Sequence, residues 1–393
     1  MTKSEYKLHL REQVRRQKAF FESRLPGGLL AYLHKTGGPE SEKSEKQKDT
    51  DPNDLKNKGG LAGAVYRAVI GVDGSIVPAR TAVETAVEHF VRDYRCQIEQ
   101  ARTPDPGDAI PCMYSHWDIG WHTAAMAGLP PRFISGSWWL EPNLEWEAIE
   151  QLRFDADNPW LVVGKHVHRA LWRLWDEDFW TMPFIHRSPL DYANGLRGTR
   201  LFMEMLTEPD KVKRLIDGCV DWQLQAEEFI YAGIDVPEGW GTGIMGTWGP
   251  DKAVWVNGDP VGLISREMMR EFEQPYTGRL FTSTGGGFFH NHTLGLYQAD
   301  RVAETPGIHM QNFTKDANKR TVEDTLLEDP TARERIIAAS LKTPILISGM
   351  NSTHLQALLP IVSKGRFILD LETDTETELT EIGRSIRNAG KIE

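Results

Sequence analysis

Cysteine is scarce in this sequence. Among 393 residues there are 3 cysteines, Cys96, Cys112 and Cys219, and none belongs to a C-x-x-C pair. The sequence therefore predicts neither a disulfide framework nor a cysteine-based zinc cluster. No apolar run approaches the roughly 18–20 residues that span a bilayer. The N-terminal stretch MTKSEYKLHLREQVRRQKAFF is charged, unlike a secretory signal, so we expect a cytoplasmic protein with no membrane association.

Positive charge is also in short supply. Lysine and arginine total 45 against 56 aspartates and glutamates, which gives a formal net charge of -11. Because binding to a phosphate backbone needs a basic face, nucleic acid is not expected as a partner. No lysine follows GGGFF at the spacing of a phosphate loop. These absences favour a small-molecule substrate.

Tryptophan, by contrast, is abundant in one part of the chain. All 13 tryptophans fall between Trp117 and Trp255. They indicate either a thick aromatic core or a wide aromatic pocket, because indole faces can cover a sugar, a planar macrocycle or a methylated cation. Both interpretations stay open at this point.

The order of patterns along the chain predicts four regions. A helical pattern fills the first ~24 residues, a charged stretch without aromatics follows, and a second helical pattern covers roughly 80–102. The predicted regions are an N-terminal helical extension (1–34), a mobile charged excursion (35–60), a helical lead-in (61–105) and a main domain (106–393).

Short apolar runs alternate with helical patterns in the main domain. The clearest runs are AVWVNGD, GGGFFHNH, GIHMQNF, PILISGM and GRFILDLE, and the segment from Pro209 to Tyr231 has a strong helical period. Repeated strand–helix units with apolar strands predict a parallel sheet. Their number and the chain length favour an α/β fold of the closed (β/α)8 TIM-barrel type, whose active site lies at the carboxyl ends of the strands.

Polar residues follow several predicted strands at that end. They are candidates for a common pocket: His116, Trp117 and Asp118, then His186 and Asp191, Asn257 and Asp259, His290 and His292, His309 and Gln311, and Asp370 and Glu372.

The spacing His290-x-His292 is the sharpest of these signals. Residues i and i+2 of a regular strand point to the same side, so both imidazoles are expected at the barrel mouth. A catalytic zinc site needs about three protein ligands, and Glu372 is the predicted third, with Asp370 or His309 as substitutes. The alternative is that both histidines make hydrogen bonds within a loop. The similar pair His166 and His168 lies in a helical pattern, where i and i+2 do not share a face.

Four segments resemble the uroporphyrinogen decarboxylase superfamily, which also contains zinc-dependent methyltransferases acting between corrinoids, thiols and related carriers. They are FIHRSPLDYANGLRGTRLFMEMLTEPDKVKRLID, VWVNGDPVGLISREMMREFEQPY, FFHNHTLG and RFILDLETDTETELTEI. FFHNHTLG falls where the methyltransferases have H-x-C-G, and LDLE falls where they place a last cysteine. The resemblance covers roughly half the chain and implies the same barrel.

The departures from the family pattern define the expected chemistry. The arginine-bearing M-R-Q-A-G-R-Y segment of the decarboxylase has no match, so a polycarboxylate porphyrinogen is not expected as substrate. The family's thiolate ligands are replaced, so a metal here would have nitrogen and oxygen ligands.

The resemblance thus implies a metal-dependent, methyltransferase-like enzyme, with zinc as the favoured ion, a corrinoid protein as a candidate partner and a homodimer as the candidate assembly. Asp259, His309 and Asp118 are the candidate catalytic residues. His116, Trp117, His186, Asp191 and Asn257 are the candidate substrate contacts. The alternatives are a metal-independent decarboxylase or lyase using strand-end Asp and His, and a non-catalytic protein that binds a ligand or a corrinoid.

Overall fold

A computed structural model describes most of the chain. It covers residues 2–23, 27–35, 60–72, 75–100, 107–113, 132–134, 137–139, 144–181, 185–235, 241–250, 252–316, 320–373 and 375–390. The candidates His116, Trp117 and Asp118 lie outside the described residues, as does most of the predicted excursion at 35–60.

Thirteen strands are found in the described residues. They are β1 (Gly28–Lys35), β2 (Cys112–Met113), β3 (Arg132–Ile134), β4 (Ser137–Trp139), β5 (Trp180–Thr181), β6 (Ile185–Arg187), β7 (Gly241–Ile244), β8 (Thr247–Pro250), β9 (Val254–Asn257), β10 (Gly287–His292), β11 (Ile308–Thr314), β12 (Ile345–Asn351) and β13 (Arg366–Thr373).

The α-helices of the described residues connect these strands. They are α1 (Lys3–Glu22), α2 (Gly60–Val69), α3 (Arg80–Gln100), α4 (Trp146–Ile149), α5 (Pro159–Leu174), α6 (Pro189–Arg197), α7 (Arg200–Thr207), α8 (Pro209–Tyr231), α9 (Arg266–Met268), α10 (Gln274–Thr284), α11 (Ala299–Val302), α12 (Val322–Glu328), α13 (Pro330–Lys342), α14 (Leu355–Val362) and α15 (Glu376–Ala389). A π-helical turn (Met269–Glu273) joins α9 to α10, and short 3-10 helices occupy Asp259–Leu263, Thr293–Gln298 and Ser352–His354.

The main sheet has seven strands in the order β1-β13-β12-β11-β10-β9-β6. All six strand pairs are parallel. A second sheet has the order β2-β5-β7-β8, and β3 pairs with β4 as an antiparallel hairpin. The predicted α/β class with a parallel sheet is therefore confirmed.

Both faces of the main sheet are buried, as expected where helices connect parallel strands. One face contributes Leu30, Phe288, Met310, Leu346 and Ile368 to a single apolar cluster. The alternate residues of the same strands, such as Phe313 and Ile345, pack with the surrounding helices instead. We call the first face the inner face. The period of two along each strand then determines which polar residues share that face.

The segment 107–113 contacts β1, an edge strand of the main sheet, and β5 of the second sheet. The Asp108 amide donates to the Ala31 carbonyl in β1 at 2.6 Å, and the Trp180 amide of β5 donates to the Pro111 carbonyl at 2.8 Å. β5 in turn precedes β6, the opposite edge strand, along the chain. This segment therefore makes backbone contacts with the first strand and with the run that leads into β6.

The N-terminal region differs from its prediction in one element. The amphipathic helix is confirmed as α1, but residues 28–35, assigned to the helical extension or its boundary, form an edge strand of the main sheet. Its sequence GLLAYLHK is a short apolar run whose strand character depends on pairing with β13. Arg366 of β13 also donates to the Phe20 carbonyl at 2.6 Å, which fixes the end of α1 against the sheet.

Helix ends follow their sequence signals closely. The helix predicted from Pro209 to Tyr231 has those bounds as α8. Ser265 accepts a hydrogen bond from the Met268 amide, and Thr375 accepts one from the Glu378 amide, as N-cap side chains do. Among the helices of the described ranges, none combines the length and apolar character needed to cross a membrane.

Candidate metal centre

Three potential ligands converge where β9 and β10 end. Asp259, His290 and His292 each offer one ligand atom, and these atoms lie within 4.8 Å of one another; no second group of this kind occurs in the described part of the chain. Asp259 begins the 3-10 helix that follows β9, and both histidines belong to β10. The Gly258 amide donates to the His290 carbonyl at 2.9 Å, so the parallel pairing of the two strands brings the carboxylate to the imidazoles.

The ring of His290 is oriented by a chain of polar contacts. Its Nδ1 lies 2.5 Å from Oδ1 of Asn312, the register partner on β11. Nδ2 of Asn312 donates to Ser348 Oγ at 2.7 Å, which leaves the amide oxygen facing the ring. Because that oxygen accepts, Nδ1 carries the proton and Nε2 keeps its lone pair. Trp255 stacks on the ring with centroids 5.3 Å apart.

Burial keeps His290 in its neutral form. Desolvation lowers the pKa of His290, and the contacts with Asn312 and Asp259 only partly oppose that effect. A neutral imidazole is the form that binds a metal ion. The protonation state and the ring orientation therefore favour the same role.

His292 lies between two carboxylates. Its Nε2 is 3.7 Å from Oδ1 of Asp259, and its Nδ1 is 3.3 Å from Oδ1 of Asp316. The second contact is within ion-pair range but is not aligned as a hydrogen bond. Asp316 is itself held by Thr293 Oγ1 at 3.0 Å and by the Leu294 amide at 2.8 Å. A carboxylate behind one ring nitrogen is a common support for a histidine ligand.

The inner face also carries Asn257 and an arginine that was not predicted. Arg187 pairs in register with Asn257, which pairs with His290, so the three side chains share one face. Arg187 Nη1 lies 3.2 Å from Oδ2 of Asp191. Burial raises the pKa of Asp191 to about 6, against the opposing effect of Arg187 and with a smaller raising effect from Asp259. No local pattern in the sequence identifies Arg187, because its place opposite Asn257 is set by strand pairing.

Two predicted residues lie elsewhere. His186 was expected at the pocket, but its side chain is on the helix side of β6, where Nε2 lies 2.8 Å from Oε1 of Glu227 in α8. His309 was expected at the carboxyl end of its strand. It is instead the second residue of β11, and its Nε2 lies 3.1 Å from the Gly285 carbonyl at the strand's amino end. At about 3.3 Å per residue, His309 is far along the strand from the ligand group.

The predicted third ligand, Glu372, is not part of the group. It lies on β13, which β11 and β12 separate from β10, so Asp259 provides the nearby carboxylate instead. Asp370 of the same strand accepts from the Gly349 amide at 3.2 Å. His168 is buried in α5, where desolvation lowers its pKa to about 3, and it is not part of the ligand group.

A buried carboxyl group that the sequence did not indicate lies near Asp191. Glu273 ends the π-helical turn and is fully buried. Ser188 donates to its Oε2 at 3.0 Å, and Thr277 donates to its Oε1. Burial raises the pKa of Glu273 to about 7, and the charge of Asp191 adds to that rise. No periodicity or motif singles out such a residue, because its environment is created by tertiary packing.

Comparison with known proteins adds no assignment. No protein-family model matches the chain, and no curated protein matches it at a significant level. The chemistry must therefore be argued from the arrangement of this chain's own residues.

Proposed function

We propose that this chain is a metal-dependent, methyltransferase-like enzyme of the uroporphyrinogen decarboxylase superfamily. Asp259, His290 and His292 hold a divalent ion, with zinc as the favoured metal. The observation that carries the proposal is the convergence of one carboxylate and two imidazoles within 4.8 Å at the carboxyl ends of adjacent parallel strands.

The donor set fits a catalytic ion. Three protein ligands of nitrogen and oxygen type, with room for a further ligand, are typical of catalytic zinc sites. The set also accepts manganese, iron or nickel, because no thiolate is present to select a softer ion. The orientation of His290 by Asn312 supports a ligand role over a simple loop hydrogen bond, since it leaves Nε2 as an acceptor.

Side chains around the candidate ligands would position and shield them. A bound ion would supply Lewis-acid polarisation of the atom that gives or accepts the methyl group. Asn312 holds the tautomer of His290, and Trp255 shields one face of that ring from water. Asp316 lies behind His292 and favours its ligand orientation. A corrinoid protein is the methyl carrier that this reaction type implies.

We further propose that the main sheet closes into a (β/α)8 barrel. The backbone contacts of segment 107–113 with Ala31 on one side and Trp180 on the other support this closure. The eight strands would then be β1, the segment 107–113, β6 and the five strands β9 to β13, with β5 leading into β6. Barrel enzymes place their chemistry at the carboxyl ends of the strands, which is where the three ligands lie.

A metal-independent decarboxylase or lyase is the second candidate. Asp191 and Glu273 favour it, because burial raises their pKa values to about 6 and about 7, so both carboxyls can exchange protons near neutral pH. In that case Asp259 would act on the substrate directly.

The two candidates differ in their need for metal. We expect the full chain to bind one zinc ion per molecule, measured by elemental analysis and by competition with a chromophoric chelator. The His290→Ala/His292→Ala variant should bind zinc at least about 100-fold more weakly, because two of three ligands are lost. The zinc-loaded protein should also consume methylcobalamin in the presence of a thiol, followed by absorbance.

The exposed His89 on α3 provides the matched control. His89→Ala should bind zinc as the wild type does. Equal zinc affinity in the wild type and the double variant would contradict the metal site. Zinc binding without methylcobalamin consumption would contradict the methyl-transfer assignment while leaving the metal site in place.

A further inference from the structure

Arg187 occupies an unusual place for a cation. Its side chain is on the inner face of β6, in register with Asn257 and, through it, with His290. Only 12% of the side chain is exposed. Neighbouring parallel strands are about 4.8 Å apart, so the backbone of Arg187 is on the order of 10 Å from that of His290. An arginine side chain spans much of that distance.

One contact of Arg187 is with Asp191, whose Oδ2 lies 3.2 Å from its Nη1. An arginine that stabilises a partner carboxylate normally lowers its pKa. Here burial outweighs Arg187 and raises the pKa of Asp191 to about 6. The carboxylate is thus desolvated at a net cost. Such a costly buried pair gives weak support to a purely stabilising role.

Asn257 offers a second donor beside Arg187. Its Oδ1 accepts the indole N–H of Trp255 at 2.7 Å. That contact determines the orientation of the amide and turns its N–H₂ group away from Trp255. A guanidinium and an amide N–H₂ on the same face of neighbouring strands are suited to bind two oxygens of one anion.

We propose that Arg187 and Asn257 form the recognition site for an anionic group of the substrate, a carboxylate or a phosphate, beside the Asp259–His290–His292 ligands. This inference rests on the proposed metal-dependent function for the identity of the bound molecule as substrate. It does not depend on which ion is bound. Asp191 competes with the anion for Arg187, and Arg187 gives up part of its contact with Asp191 when the anion binds.

The test is calorimetric titration of the zinc-loaded full chain with succinate, inorganic phosphate and the neutral analogue succinamide. We expect Arg187→Gln to weaken binding of the preferred anion by about tenfold or more, because a charge-assisted pair is lost. Asp191→Asn should strengthen it several-fold, because the competitor is removed. The affinity for succinamide should be the same in the wild type and in both variants. Tighter binding of succinate or of phosphate identifies the anion.

Arg279→Gln is the matched control, since it removes the same charge from an arginine that pairs on the surface with Asp217. It should bind the anion as the wild type does. Arg187→Lys keeps the charge without the planar fork and should show an intermediate loss, which also covers a failure of Arg187→Gln to fold. A role in structure alone would change thermal stability without moving anion affinity in opposite directions in the Arg187 and Asp191 variants.

The outcomes separate this inference from the proposed function. Anion binding that is equal in wild type and Arg187→Gln, or absent in both, overturns the recognition site even if zinc binds tightly. Anion binding that depends on Arg187 in a chain that does not bind zinc supports the recognition site and contradicts the metal-dependent function.

Discussion

At the scale of single residues, the position of the two imidazoles depends on side chains outside the candidate ligand group. Asn312 is a positioning residue, because its Oδ1 lies 2.5 Å from Nδ1 of His290. We predict that Asn312→Ala lowers zinc affinity by about 10–100-fold, as loss of such an outer partner does. Ser348→Ala should show a smaller loss, because it removes one contact of the Asn312 amide and leaves its hydrogen bond to the Leu346 carbonyl.

The measurement is zinc competition at pH 7.5 with the wild type, both variants and Gln225→Ala, which alters an exposed residue of α8 that donates to the Asp221 carbonyl. An Asn312→Ala affinity equal to that of the wild type would show that His290 does not need this support.

The buried Glu273 should make the stability of the protein depend on pH. Burial raises its pKa from 4.5 to about 7. The folded state thus holds the proton more tightly than the unfolded state. Its contribution to stability is full below pH 4.5 and is lost as the pH rises through about 7. We expect this residue to lower the free energy of unfolding by about 3 kcal/mol between pH 4.5 and 8.

Glu273→Gln cannot ionise and should lack that part of the pH dependence. Urea unfolding at several pH values measures the difference between wild type and variant. Glu271→Gln, an exposed carboxylate in the same π-helical turn, should follow the wild-type curve. Parallel curves for wild type and Glu273→Gln would contradict the pKa shift.

At the scale of elements, the turn between β9 and the following 3-10 helix needs glycine. A Cβ at Gly258 would lie 2.2 Å from Cζ of Phe289. We predict that Gly258→Ala destabilises the protein by about 1–3 kcal/mol, because the added methyl overfills a packed site. It should also weaken zinc binding, since the displaced turn carries Asp259.

Gly218 in α8 provides the opposite control. No atom lies within 4 Å of its added Cβ, and it lies in the middle of a helix. Gly218→Ala should therefore stabilise the protein by about 0.5–1 kcal/mol. Chemical unfolding of both variants tests the pair, and equal effects of the two substitutions would contradict the packing argument.

Elements differ in how far the sequence determines them. The strands from β9 to β13 were predicted because apolar β-branched runs alternate with amphipathic helices. β1 was not, because GLLAYLHK becomes a strand only through pairing with β13. The site was predicted in part: His290, His292 and Asp259 were named, but Glu372 was chosen as third ligand. Strand order, which brings Asp259 to β10, cannot be deduced from spacing.

The wrong predictions for His186 and His309 also arise because the sequence alone does not give strand register or strand ends. His186 and Arg187 are adjacent in sequence, so a shift of one residue in the assumed strand register exchanges the residue that faces the site. The register is set by β9, through Arg187 and Asn257, and no local pattern reports it. His309 was assigned to the wrong end of its strand for a similar reason, because an apolar run alone does not indicate where the strand begins.

At the scale of the whole molecule, Asp108 joins three parts of the chain. Its carboxylate accepts from Arg16 of α1 at 2.9 Å and from the Ala31 amide of β1 at 3.0 Å. We predict that Asp108→Ala lowers the free energy of unfolding by about 3 kcal/mol, since it leaves a buried donor and a cation unpaired. Thermal and urea unfolding measure the effect.

The surface pair of Arg320 with Glu328 is the comparison for this change. Glu328→Gln should alter stability by less than about 1 kcal/mol, because both groups remain hydrated. An Asp108→Ala variant as stable as Glu328→Gln would show that segment 107–113 is not needed to hold the N-terminal strand.

The pairing of β1 with β13 has a consequence for folding during synthesis. Of the strands described, β1 is the first along the chain, and its sheet partner β13 is the last. Until β13 has been made, the emerging chain therefore carries an apolar strand with an unsatisfied edge, which is a hazard for aggregation. A product truncated before β13 would keep that unpaired strand and would be a substrate for chaperones and proteases.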